Sequence, residues 1–162
     1  MKIQKWLVNA AAALLFAGAS AAAMAVDCAG GVIQDTIVDS IEINGEPCLI
    51  VGVRVRNGVR VDNSPALMMV ENDVGDGVLV TNSAFVGIVN TRISNLSLIV
   101  LASGQVAIKD NDVKDGSIRV NGNVSANVNR NDAERDIVCL NNGDLDAFLN
   151  HASGEDECFD LF

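Results

Sequence analysis

Apolar residues return every 19 or 20 positions through the middle of this chain, in three separate series. One runs Cys48, Leu67, Val86, Val106, Ala126; a second Val55, Val74, Ile93, Val113, Ala133; a third Ile41, Val59, Val78, Leu98, Ile118, Ile137. The offsets between the series stay constant. The repeat therefore has three sides, the signature of short strands stacking coil on coil into a parallel β-solenoid. Two sides alternate with period two, as in Val86/Ile88 and Leu98/Val100, which is strand spacing and not helix spacing. The third side offers one apolar residue per coil, followed three positions later by Gly77, Leu96, Gly116 or Asp136. It reads as a short strand with a sharp corner, where glycine is expected for its tolerance of positive φ. Asn63, Asn72, Asn82, Asn111, Asn123, Asn131 and Asn142 mark the other corners, as left-handed residues and as caps of nearby amides, and they predict stacked asparagine ladders.

The first 25 residues depart from this pattern. Lys2 and Lys5 precede an Ala/Leu-rich run ending in Ala23-Met24-Ala25, the form of a secretory signal cleaved before Val26. The expected organisation is signal 1–25, parallel β-helix 26–142 and a C-terminal capping segment 143–162, with no membrane span in the mature chain and a periplasmic or secreted location. Without the signal, nine Lys and Arg face 21 Asp and Glu, a net charge of −12, which excludes nucleic acid as a partner.

Four cysteines in an exported chain imply two disulfides with three possible connectivities. Cys28 and Cys48 lie 20 residues apart and Cys139 and Cys158 lie 19 apart, one coil in each case, so these pairs are predicted to sit on neighbouring rungs and clamp the two ends. The period also stacks the charges. Asp73, Arg92, Asp112 and Asp132 form one column, Asp76, Asn95, Asp115 and Arg135 another, and Lys114 meets Glu134, Asp110 meets Arg130 and Glu42 meets Arg60. Exposed pairs of this kind select register more than they add stability.

Chemistry has little material. The segments Glu71-Asn72-Asp73-Val74-Gly75-Asp76-Gly77 and Asp110-Asn111-Asp112-Val113-Lys114-Asp115-Gly116 look like calcium loops, but Val74 and Val113 interrupt them where the repeat places a core residue, so no metal site and no cofactor is expected. His151, the sole histidine, lies outside the periodic region, tyrosine is absent, and every cysteine is accounted for, which removes triad and thiol chemistry. The one carboxylate pair with glycosidase spacing is Asp112 with Asp132 on adjacent rungs. Outward positions on one flat side, Met68, Gly87, Ala107 and Asn127, are small and bland; on another, Leu79, Ile99 and Leu101 form an apolar patch. Leu145, Phe148 and Leu149 have helical spacing and are expected to cover that patch.

The stretch Asp110–Val120, then Asn131, Asp136–Asn142 and the acidic Gly154–Cys158, together with Gly45–Leu49 and Val53–Val55, resembles small exported bacterial proteins with repeats of the form N-x-V-x-G-x-I-x-V. The resemblance implies a right-handed parallel β-helix of pectate-lyase-like architecture, with no settled function. The chain departs from that group in carrying Gly143–Leu149 in place of a Pro-rich stretch, and its turns of two to five residues are too short to enclose a sugar chain as a lyase cleft does. The expected role is a non-catalytic, monomeric envelope or extracellular module acting through its side surfaces, with carbohydrate or an envelope component as partner. The alternative is a minimal polysaccharide-acting enzyme, lyase or glycosidase, working through Asp112 and Asp132.

Overall fold

Runs of two to five residues with alternating inward and outward side chains cannot bury a face alone, so each finds its partner one turn along the chain. The computed structural model describes residues 25–29 and 31–158. Among them the strands form three parallel sheets of eight, seven and seven strands, with no helix. The chain visits the sheets in strict rotation: Ser40–Asn44 lies in sheet I, Cys48–Val51 in sheet II, Arg54–Val55 in sheet III and Val59–Asp62 in sheet I again. The secretory signal expected over 1–25 lies, up to residue 24, outside the described residues; Ala25–Val26 pairs with Ser40 and Ile41.

The three apolar series are the rungs of the three sheets. Ile41 through Ile137 stack in sheet I, Cys48 through Ala126 in sheet II and Val55 through Ala133 in sheet III. Their side chains form one continuous core in which Ile50, Met69, Ile88, Leu98, Ile108 and Ile118 are wholly buried. Each such side chain contributes about 1.5–3 kcal/mol by leaving water, so the column holds the coils together without aromatic residues.

Coil length is not uniform. Val78 pairs with Leu98 and Leu98 with Ile118, steps of 20, while Val59 to Val78 and Ile118 to Ile137 are steps of 19. The start is tighter: Ile41 pairs with Val59, Val32 with Leu49, and Ala25 with Ser40, steps of 18, 17 and 15. Both predicted disulfides are present, with Cα–Cα distances of 5.8 Å for Cys28–Cys48 and 4.7 Å for Cys139–Cys158. Only the second joins true rung neighbours, because Val138 pairs with Glu157 immediately before it. In the contracted first coil Leu49 N–H donates to Gly31 C=O at 2.9 Å, and Cys28 reaches Cys48 across a corner.

Three expectations change. Residues 144–157 continue the coil as strands in all three sheets instead of forming a helix: Leu145 and Ala147 point inward at strand spacing, while Phe148 and Leu149 are exposed. The backbone hydrogen bonds of the preceding rung outweigh an apolar spacing that suits both periods. The Leu79/Ile99 patch is consequently not covered by that segment; its residues are half-buried by their own neighbours. Glycine at the sheet III corner is required by close approach and not by φ. Gly77 and Gly116 are absent from the positive-φ positions, but a Cβ at Gly77 would meet Ser97 O at 3.0 Å, and one at Gly116 would run into the Leu96 carbonyl.

Beyond the first coils, where Asp35, Gly45 and Gly52 precede exposed Thr36, exposed Glu46 and apolar Val53, the corners follow a two-residue rule. A left-handed residue turns the chain and the next residue points inward to cap the coil before it. At the I–II corner the left-handed positions are Asn63, Asn82, Ala102, Gly122 and Asn141, each followed by Ser64, Ser83, Ser103, Asn123 and Asn142. At the II–III corner Glu71, Asn90, Asp110, Arg130 and Leu149 precede Asn72, Thr91, Asn111, Asn131 and Asn150. Thr91, Asn111 and Asn131 N–H donate to Asn111, Asn131 and Asn150 Oδ1 at 3.0, 3.1 and 3.1 Å. The amide Nδ2 of Asn111 and of Asn131 returns a hydrogen bond to Ile88 O and Ile108 O, both at 2.9 Å. The corner asparagines thus divide into exposed left-handed ones (Asn63, Asn82) and buried caps (Asn72, Asn111, Asn123, Asn131).

Candidate functional site

Sheet II turns an uncharged trough toward solvent. Strand pairing places Leu49, Met68, Gly87, Ala107 and Asn127 in one outward row and Phe85, Gln105 and Ser125 in a second beside it. The trough spans about 700 Å³ and is lined by these residues with Gly31, Pro47 and the edges of the core. Five outward residues in a row at the strand spacing give a length of roughly 19 Å. Phe85 and Met68, 54% and 44% exposed, are its main apolar contacts. Gly87 is the floor: a Cβ there would come within 2.6 Å of Met68 Sδ, so the methionine lies across the space glycine leaves. No lining residue carries a charge, in a chain of which 20% is charged. Polar groups gather at one end, where Gln105 is exposed and Asn127 Nδ2 donates to Asp146 Oδ2 at 2.8 Å.

Sequence reasoning took the Met68–Asn127 row for featureless and passed over Phe85. The signal was present, since Val86 and Ile88 point inward and alternation forces residue 85 outward. What spacing could not supply is depth, which depends on the glycine lying between Met68 and Ala107.

The charged corner of sheet III is the second candidate. Asp112 and Asp132 are brought together as strand neighbours. Asp112 is occupied by cations on both sides: Lys114 Nζ lies 2.8 Å from Oδ1 and Arg92 Nε 3.4 Å from Oδ2, and Lys114 reaches Glu134 at 3.7 Å. Its hydrogen bond to Asp112, above the attraction of Glu134 and Asp132, holds the Lys114 ammonium above the ordinary lysine range. A nucleophile needs an open face; both carboxylate oxygens of Asp112 are instead turned to cations.

The two calcium-like segments are resolved by the same geometry. Asn72 and Asn111 point into the interior as caps, while Asp73 pairs with Arg54 at 3.2 Å and Asp110 with Arg130 at 2.7 Å. Among the described residues no group of three His, Cys, Asp or Glu side chains is placed to hold a metal ion. The stacked partners predicted for Lys114 and for Asp110 are in contact; Glu42 and Arg60 are strand neighbours. His151 pairs with Asp132 in the sheet III ladder, exposed. No helix among the described residues is long and apolar enough to cross a membrane.

Compared with protein-family models, with curated proteins and with solved structures, the chain matches none. Its assignment is therefore architectural, a three-sided parallel β-solenoid of about seven turns held by two disulfides.

Proposed function

We propose that this chain is a non-catalytic recognition module, exported to the periplasm or cell exterior, that holds a neutral, extended glycan along the trough of sheet II. The observation that carries the reading is an uncharged, aromatic-edged trough of about 700 Å³ on a molecule otherwise rich in carboxylates. A charged polymer gains nothing from such a surface, whereas a sugar presents an apolar ring face to Phe85 and hydroxyls to the Gln105 and Asn127 amides. Two disulfides favour an oxidising compartment, and an envelope location accords with the resemblance drawn from the repeats.

Binding of soluble neutral oligosaccharides, followed by titration calorimetry beside polyuronates of equal length, tests the reading. Phe85→Ala is expected to weaken neutral-glycan binding by about tenfold or more, the loss of one stacked aromatic. Gly87→Leu is expected to abolish it by displacing the Met68 side chain from across residue 87 into the trough. Preference for polyuronates, or sugar release that disappears in Asp112→Asn, would replace this reading with the carboxylate-pair enzyme.

A further inference from the structure

Formal charge is partitioned along the solenoid axis. Residues 54–135 hold all nine Lys and Arg of the chain beyond Lys5, together with nine Asp and Glu, so the body carries no net charge. The other twelve carboxylates lie at the ends, five before Arg54 and seven after Arg135. Among the described residues both ends also present strand edges without a partner. Ala25–Val26, Val32–Gln34 and Ile37–Val38 are the outermost strands at one end; Asp156–Glu157, Asp144–Phe148 and His151–Ala152 are outermost at the other. The core is partly open there: Val26 and Val38 at one end, and Leu145, Ala147 and Ala152 at the other, are only partly buried, although Ile33, Cys28 and Cys158 are closed.

We infer that the two ends are docking faces for a second copy of this chain, head to tail, and that the terminal carboxylates hold them apart. The contact would continue an interface the chain already repeats from coil to coil. It would bring Asp144–Phe148 against Val32–Gln34 in sheet II and His151–Ala152 against Ile37–Val38 in sheet III, each a parallel pairing of unpaired edges. The II–III cap column reaches the last coil at Asn150, while on the opposite face the same corner position is held by exposed Thr36. A contact of this heterologous kind does not close and yields open filaments. Against it stand Asp144, Asp146, Asp156 and Glu157 on one end and Asp27 and Asp35 on the other, Asp39 being paired with Arg56 at 2.9 Å. Asp156 is the most direct block, because it occupies the inward register of the Ile118–Ile137 column, and an inward charge on an edge strand opposes pairing. Like charges packed within one strand spacing repel strongly at low ionic strength and weakly once the Debye length falls to about 3 Å in 1 M salt. The terminal disulfides keep both faces from fraying, so screening leaves formed edges and not unfolded ones.

The inference rests on the exported reading to the extent that residues ahead of Val26 are removed. Intact-mass measurement of the purified chain tests that step by itself, and a chain still carrying them is cut back to Val26 before use. Sedimentation velocity is then run at low salt and at about 1 M salt. The expected result is a monomer at low salt and a ladder of end-to-end oligomers at high salt. Asp144→Asn/Asp146→Asn/Asp156→Asn, with unchanged far-UV dichroism, is expected to associate at both. Asp144→Lys/Asp146→Lys is expected to associate already at low salt, where the lysines attract the acidic N-terminal face, and to stay associated at high salt, where screening removes that attraction but leaves the edge contact. Fusion of a folded domain to the C-terminus is expected to stop association in every case. A neutralised chain that folds and stays monomeric at both salts, or association that survives the fusion, would overturn the inference.

Discussion

Two kinds of ladder run the length of this molecule in the same register, one inside the corners and one outside. The inner ladder is amide and hydroxyl: Asn111 N–H donates to Asn131 Oδ1 at 3.1 Å and its Nδ2 to Ile88 O at 2.9 Å, with both asparagines buried. The outer ladder is ionic, as where Arg130 grips Asp110 through Nε and Nη2 at 2.7 Å each, both side chains largely in water. The difference is dielectric. Inside, an unmet donor has no water to turn to, so a lost partner leaves the full desolvation penalty; outside, solvent and salt replace whatever is lost. Stability therefore belongs to the inner ladder, and the outer one discriminates between registers.

Asn111→Ala is the hardest test of that contrast. It orphans Thr91 N–H and removes donors from Ile88 O and Asn131 Oδ1, and it should lower unfolding free energy by about 3–5 kcal/mol in urea titration. A loss under about 1 kcal/mol would mean that water enters the corner. Asn123→Ser sharpens the same point, because Ser83 and Ser103 already serve as caps in that column. A hydroxyl keeps an acceptor for Ser103 N–H, and the expected loss is only about 1 kcal/mol.

Ala102→Gly tests the residue that turns the corner instead of the one that caps it. Ala102 sits at φ 49° in a column whose other members are Asn and Gly, so glycine should raise stability by about 0.5–1 kcal/mol, since relief of left-handed strain exceeds the added freedom of the unfolded chain. The smallest effect is expected outside. Hydrogen bonding from Arg130 holds the Asp110 carboxyl below its ordinary value of 3.8. The folded state then binds fewer protons than the unfolded one, and the pair's contribution is whole above that value and lost as pH falls through the lowered one. Comparison of wild type with Asp110→Asn by thermal melts should show a small gap at neutral pH that closes on acidification and in high salt. A large gap that persists would place the ionic ladder on a par with the buried one.

How far the chain can be read without coordinates depends on which force set each feature. Val78, Leu98 and Ile118 announce their own stacking, because a period-two strand side repeated every 20 residues has one way to bury all three faces. Cys139–Cys158 followed from the same count. Cys28–Cys48 was paired correctly on a step of 20, although the rungs there advance by 15 to 18 and the bridge crosses a corner. The C-terminal segment was misread for a different reason: Leu145, Phe148 and Leu149 satisfy helical spacing in isolation, and only the open hydrogen-bonding edge left by Ser125–Asn129 makes the strand the better choice. The trough escaped notice because concavity is a property of neighbouring coils: Phe85 stands beside a row in which Met68 lies flat across Gly87.

By itself, then, the order of residues determined the three-sided coil, the members of each rung, the disulfide partners and the outer charge columns, since each needs only a constant period and burial of alternate side chains. Tertiary structure alone decided which asparagines turn the chain and which cap it, why Gly77 and Gly116 must be glycine, where the coils contract, and which face is hollow. Those features arise where backbone from one coil meets backbone or side chain from the next at a separation of about 4.8 Å, a distance set by hydrogen bonding between turns that no local pattern encodes.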